Sequence, residues 1–233
     1  MQLLTVMHAS TIRAVRPVRG GLGALPDAVK AVADQYQFKG IPADKDIVAA
    51  TSSATNPNLP ATPLTFTQGK STVRQRVIAI ESLQIYAAGV LVVTRTNTKD
   101  SDTIADEILA WASTHFDIAF EDLRAGRGHS SQLDFRLERS LVELLPHLSR
   151  IGERIATPLE EFFEFRPPYE LTALSFWFDK HKFPTFAPAA FRIDRRDGMP
   201  FEQNIYWSDA PLSTDDHIAV LTEFEQACLK ALN

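Results

Sequence analysis

The sequence predicts an α+β fold: a mainly antiparallel sheet built from β-hairpins, with three main helices packed on it. Three observations predict it. A hairpin-like stretch, a polar acidic turn and an amphipathic helix follow one another twice, over 75–116 and over 190–232. Leu144, Leu148, Ile151, Ile155, Leu159 and Phe162 recur every three or four residues, the stripe of a 3.6-residue helix. Leu133, Phe135 and Leu137 alternate with Asp134, Arg136 and Glu138, the period of a half-buried strand.

The elements follow in order. Residues 2–18 are β-prone and end at a turn rich in glycine (Gly20, Gly21, Gly23). From Leu25 to Phe38 the spacing of Val29, Val32, Ala33 and Tyr36 predicts a helix, with Pro26 in its first turn. Ile47–Ala50 reads as a brief strand, and 51–63, with three prolines and no charge, as a flexible loop. Leu64 to Thr96 reads as a three-stranded meander with Ala87-Ala88-Gly89 as its clearest turn. A helix over 102–116, capped by Ser101 or Asp102, carries Ile104, Ile108, Trp111, Ala112 and His115 on one stripe. A break falls at 124–131, and a helix over 142–163 opens on Ser140 and Glu143, which have capping-box spacing; Pro158 threatens to end it early. The run 169–179 is apolar on both faces, as in a central strand or an aromatic face offered to a partner. A final helix spans 216–232. The expected organisation is one α+β domain over 1–233, with a possible lobe boundary near 120–131.

Bulk properties exclude several classes. A chain of 233 residues with 45% hydrophobic and 23% charged residues can bury a core without a metal or disulfide staple. Its one cysteine, Cys228, excludes an internal disulfide and a cysteine-rich zinc site, and its place on an apolar helical stripe reads as core. A net charge of -5 argues against a protein that mainly neutralises nucleic-acid phosphates. The longest strongly apolar run, Tyr86 to Val93, is far short of a membrane span, and His8 interrupts the N-terminal apolar stretch where a signal peptide would need continuity. The compartment this implies is the cytoplasm.

Motifs that would carry chemistry fail on local grounds. Gly69-Lys70-Ser71-Thr72 ends like a phosphate loop, but Leu64 stands where a glycine is needed and a strand, not a helix, follows. Gly21-Leu22-Gly23 lacks the third glycine of a dinucleotide fingerprint. The six histidines show no metal-pair spacing, and Asp215-Asp216-His217 at a helix start is explained by the dipole. No cofactor or metal is expected.

Two constellations remain, 124–131 and Asp194-Arg195-Arg196-Asp197-Gly198, the second read mostly as hairpin-turn chemistry with cross-strand ion pairs; an aromatic stretch and a row of arginines stand beside them. Arg124, Arg127, His129 and Ser130 lie on a glycine-containing segment that suits bidentate contacts to an anion, or else forms a solvated polar connector. Phe176, Phe178, Phe183 and Phe186 belong to an aromatic-dense stretch that suits a protein interface, or else packs a core. Arg13, Arg16 and Arg19 recur every third residue, facing an acidic partner or protecting an edge strand. The function expected is that of a non-catalytic binding or assembly protein, a subunit of a larger complex or a homo-oligomer. The alternative is an enzyme or binder for an anionic small molecule, built on 124–131.

Overall fold

A computed structural model of the chain describes residues 1–19, 25–55, 61–163, 165–166, 169–179, 181–182 and 188–232; for residues 19, 25, 26, 55, 122–125 and 161–163 it describes the backbone alone. The elements are β1 (Gln2–Arg19), α1 (Leu25–Gln35), α2 (Asp44–Thr55), β2 (Leu64–Val73), β3 (Arg76–Tyr86), β4 (Gly89–Thr94), α3 (Thr98–Phe116), β5 (Ala119–Arg136), α4 (Leu141–Leu144), α5 (Pro146–Phe163), β6 (Ala173–Phe176), β7 (Phe191–Arg195), β8 (Ile205–Ala210) and α6 (Thr214–Ala231). A 3-10 turn, Phe201–Gln203, precedes β8. The fold is α+β, and the pairs β1–β4, β2–β3, β3–β4, β6–β7 and β7–β8 are all antiparallel. The glycine-rich turn expected at Gly20, Gly21 and Gly23 lies outside the described residues.

The chain divides into two compact units. One comprises Val6–Ser131 with Leu212–Thr214; the other comprises Met1–Thr5, Gln132–Pro211 and Asp215–Asn233. We call them the N-terminal and C-terminal units.

In the N-terminal unit the hydrogen-bonded strand order is β2-β3-β4-β1-β5. The expected meander is β2, β3 and β4, and the apolar run to Val93 becomes β4, buried on both faces. Its core gathers Phe66, Ile80, Leu83 and Val92 from the sheet with Ile104 and Ile108 of α3, Val29 and Val32 of α1, and Tyr36 just after it. Gly69 sits in β2, where an added Cβ would come within 2.4 Å of the Phe38 ring. That glycine permits close packing, and Lys70 beside it is exposed. The outer edge of β2 is covered by the segment after α1: Gly40 and Thr67 exchange two backbone hydrogen bonds, and Lys70 donates to the Tyr36 carbonyl.

The β2–β3 hairpin closes on Arg74 and Gln75, both at positive φ (48° and 66°). Two consecutive left-handed residues make the turn that suits a right-twisted hairpin, but side chains are costly there. The double replacement Arg74→Asn/Gln75→Gly should therefore raise stability by roughly 1 kcal/mol, read as a higher urea midpoint at unchanged slope.

Helix α3 begins earlier than expected. Asn97, not Ser101 or Asp102, is the cap: its side-chain oxygen accepts from the Asp100 N–H at 2.8 Å. Ser101 is buried instead, donating to the Ala9 carbonyl at 2.9 Å. The strand expected at Ile47–Ala50 and the start of the loop expected over 51–63 are both helical, within α2. Asp44 and Asp46 favour its first turn, and Thr51 and Ser52 satisfy their hydroxyls on the carbonyls four residues back. Residues 56–60 of that loop lie outside the described residues.

In the C-terminal unit the order is β5-β8-β7-β6. Leu133, Phe135, Leu137, Leu141, Ile193, Tyr206 and Leu221 are buried. The helix expected over 142–163 is two helices. Ser140 caps the short α4, accepting from the Glu143 N–H at 3.2 Å, and the chain breaks at Leu145 because a residue before proline is driven out of the helical region. Pro146 then opens α5 at a position where its missing N–H costs nothing. Pro158 removes one hydrogen bond inside α5 without ending it. Asp215 and Asp216 lie in the first turn of α6, while His217 is a core residue. The Ser208 hydroxyl gives its proton to the Arg192 carbonyl at 2.6 Å, so His217 Nε2, 2.7 Å away, is the donor to Ser208.

Candidate functional site

The glycine-containing segment 124–131 is not a loop. It is part of β5, whose residues two apart share a face, so Arg127 and His129 project together. Asp102 and Asp106, one helical turn apart on α3, receive them. His129 Nε2 lies 3.1 Å from both Asp102 carboxylate oxygens. The Arg127 guanidinium lies 3.6 Å from Asp102 and 3.3 Å from Asp106. Arg13 of β1 adds its Nε at 3.0 Å from the other Asp106 oxygen. Three cationic or potentially cationic groups thus share two carboxylates, in a tie that joins β1, β5 and α3 inside one unit.

The remaining members of the predicted site are spread around this tie. Ser130 accepts through its carbonyl from the Ser10 hydroxyl at 3.5 Å. The Arg124 side chain lies outside the described residues. Arg16 pairs with Glu121, and β1 stands between β4 and β5, so the row of arginines does not guard a sheet edge. At their partial exposure these pairs contribute about 0–1 kcal/mol each.

The aromatic stretch fares differently. β6 stands at the end of its strand order, not at its centre, and pairs only with β7 among the described strands. Phe176 is 57% exposed and Trp177 60% exposed, with the Phe176 ring 5.9 Å from that of Phe191. Phe178, just past the strand, is half-buried, and Phe183 and Phe186 lie outside the described residues. Among the described strands β6 is paired along one side only, and it carries exposed aromatic surface.

A second apolar surface was legible as a pattern but not as a surface. Along α5, Leu148, Ile151 and Ile155 are 39%, 56% and 42% exposed, whereas Ala156 is buried and Ser149, Gly152 and Leu159 are half-buried. Gly152 lets the helix lie against the Tyr169 backbone: an added Cβ would sit 2.1 Å from that carbonyl oxygen. The helix is seated through its small residues, and its large apolar row faces outward. One step around the helix, exposed Arg150 and Arg154 form a parallel cationic row, with His147 in line with them.

The N-terminal unit also contains a cavity of about 400 Å³. Leu64, Phe66, Val90 and Ile108 are buried at its floor, and Pro17, Thr51, Ala54 and Ala87 are exposed at its mouth. Among the described residues no charged side chain lines it. No motif announces such a space; the available signal is alanine at 50, 54, 87 and 112, where larger side chains would fill it. No helix among the described residues is long and apolar enough to cross a membrane. No protein-family model matches the chain, and no curated protein matches it.

Proposed function

We propose that this chain is a non-catalytic binding and assembly protein of the cytoplasm, which docks a protein partner through α5. The observation that carries this reading is the exposed row Leu148, Ile151 and Ile155 beside the cations Arg150 and Arg154. Most helix stability in proteins comes from packing the amphipathic face, and here three large apolar residues of that face are left in water. Anchors at i, i+3 and i+7 fit an apolar groove on another protein, and the flanking cations call for an acidic rim. The exposed Phe176 and Trp177 edge adds aromatic surface of the kind enriched in interfaces. An anionic ligand at Arg127 and His129 would have to displace Asp102 and Asp106, so that alternative lacks a supporting observation.

The test places a photo-crosslinking residue at Gly128 or at Ile151 in the producing cells and compares the products. A discrete adduct from position 151 is expected, lost in Arg150→Glu/Arg154→Glu and in Ile155→Asp, with circular dichroism unchanged. No adduct at 151, or one insensitive to both changes, overturns the docking role. An adduct with the chain itself would make the groove that of a second copy, and light scattering should then show a dimer that Ile155→Asp dissociates.

A further inference from the structure

The cavity of the N-terminal unit has a chemistry that the α5 surface does not share. It is walled by α1, α2 and α3 on one side and by the sheet on the other, and its volume falls within the ~300–1,000 Å³ of small-molecule pockets. Two of the polar groups of its wall are committed elsewhere: the Thr51 hydroxyl donates to the Ile47 carbonyl at 2.8 Å, and the Tyr86 hydroxyl donates to Gln84 at 2.7 Å. A water molecule needs two to four polar partners to be held, and an apolar enclosure supplies none, so this space gains by filling with hydrocarbon. The described residues of the wall offer no charge to pair with a buried carboxylate, phosphate or ammonium, which would be costly to bury there.

We propose that the N-terminal unit binds a lipophilic small molecule, a flexible hydrocarbon chain held in this cavity with its polar end at the mouth among Pro17, Thr51, Ala54 and Ala87. The wall reads the length of the chain and not its head group. Occupancy is independent of docking at α5, which belongs to the other unit.

The probe is a series of 1-alkanols from octanol to tetradecanol, with the matching carboxylates as a second arm, titrated calorimetrically into the full chain. Kd should fall about fourfold per methylene until the chain outgrows the cavity, and then level off. Dodecanol and dodecanoate should bind within threefold of each other. Ala112→Trp and Ala50→Phe, which fill the space from α3 and α2, should each weaken binding at least tenfold without lowering Tm. Of the three tryptophans only Trp111 lines the cavity, so in a Trp177→Phe/Trp207→Phe background its emission should shift on binding. The proposal is overturned if no alkanol binds below its solubility limit, if the filling variants bind as well as the parent, or if binding is abolished by Ile151→Asp instead. A tenfold preference for the carboxylate overturns the reading that the head group is ignored.

Discussion

Gly89→Ala should lower the unfolding free energy by about 2–4 kcal/mol, measured by urea denaturation at neutral pH. Gly89 opens β4 and pairs with Ala14 of β1, while the next β1 residue, Val15, donates to the Ala88 carbonyl at 3.2 Å. A Cβ on Gly89 would lie 2.4 Å from the Arg13 carbonyl oxygen and 3.1 Å from the Ala14 Cα. Both are backbone atoms of a strand held on two sides, so neither can rotate away as a side-chain tip would. Its φ of +154° adds a conformational cost of its own. Gly198→Ala separates the two effects. That glycine also has positive φ, +76°, but nothing within 4 Å of an added Cβ, so its replacement should cost only about 1 kcal/mol. Equal losses at the two positions would mean that the β1–β4 contact yields, and the collision argument would be wrong.

Gly89 was legible as a turn because Ala87-Ala88-Gly89 interrupts two apolar runs. Its collision with Arg13 was not, since that depends on a strand more than 70 residues earlier. The same division runs through the rest of the molecule. Alternation in Leu133–Leu137 and the stripe of Ile104 and Ile108 identify strand and helix locally, because burial on one face imposes a period. The segment Gly126–Ser131 lacks any such period; it is extended because β5 lies between strands on both sides, and propensity yields to that context. In α2, Thr51 and Ser52 resemble loop residues until their hydroxyls find carbonyls one turn back. The candidate cations at Arg127 and His129 were visible, but Asp102 reads in the sequence as a helix cap, and nothing marks Asp106 as its companion. The α5 stripe was visible too, yet periodicity states only that a face is apolar, not what covers it. The cavity was invisible for a different reason: a void is an absence of side-chain volume, and alanine by itself does not distinguish a void from close packing.

Tyr36→Phe should remove one component of the alkaline sensitivity of this fold. Tyr36 is 1% exposed, edge-on to Trp111 at 5.9 Å, and its hydroxyl has no hydrogen-bond partner among the described residues. Burial, and secondarily the negative charge of Glu107, push its phenol well above the ordinary tyrosine value. The sign follows from which state ionises first. Below pH ~10 the phenol is neutral in both states and contributes no pH dependence. As pH rises past that point the unfolded chain releases the proton and the folded chain keeps it, so the unfolded state gains by up to ~1.4 kcal/mol per pH unit. The parent should therefore lose about 2–3 kcal/mol more than the variant between pH 10 and 12. At pH 7 the variant should match the parent or exceed it by about 1 kcal/mol, since an unpaired buried hydroxyl is removed while the ring stays. Urea midpoints taken across pH 7 to 12 for both chains test this. Parallel pH dependences would mean that the phenol reaches water in the folded state, and the packing of Tyr36 against Trp111 would have to be looser than the structure places it.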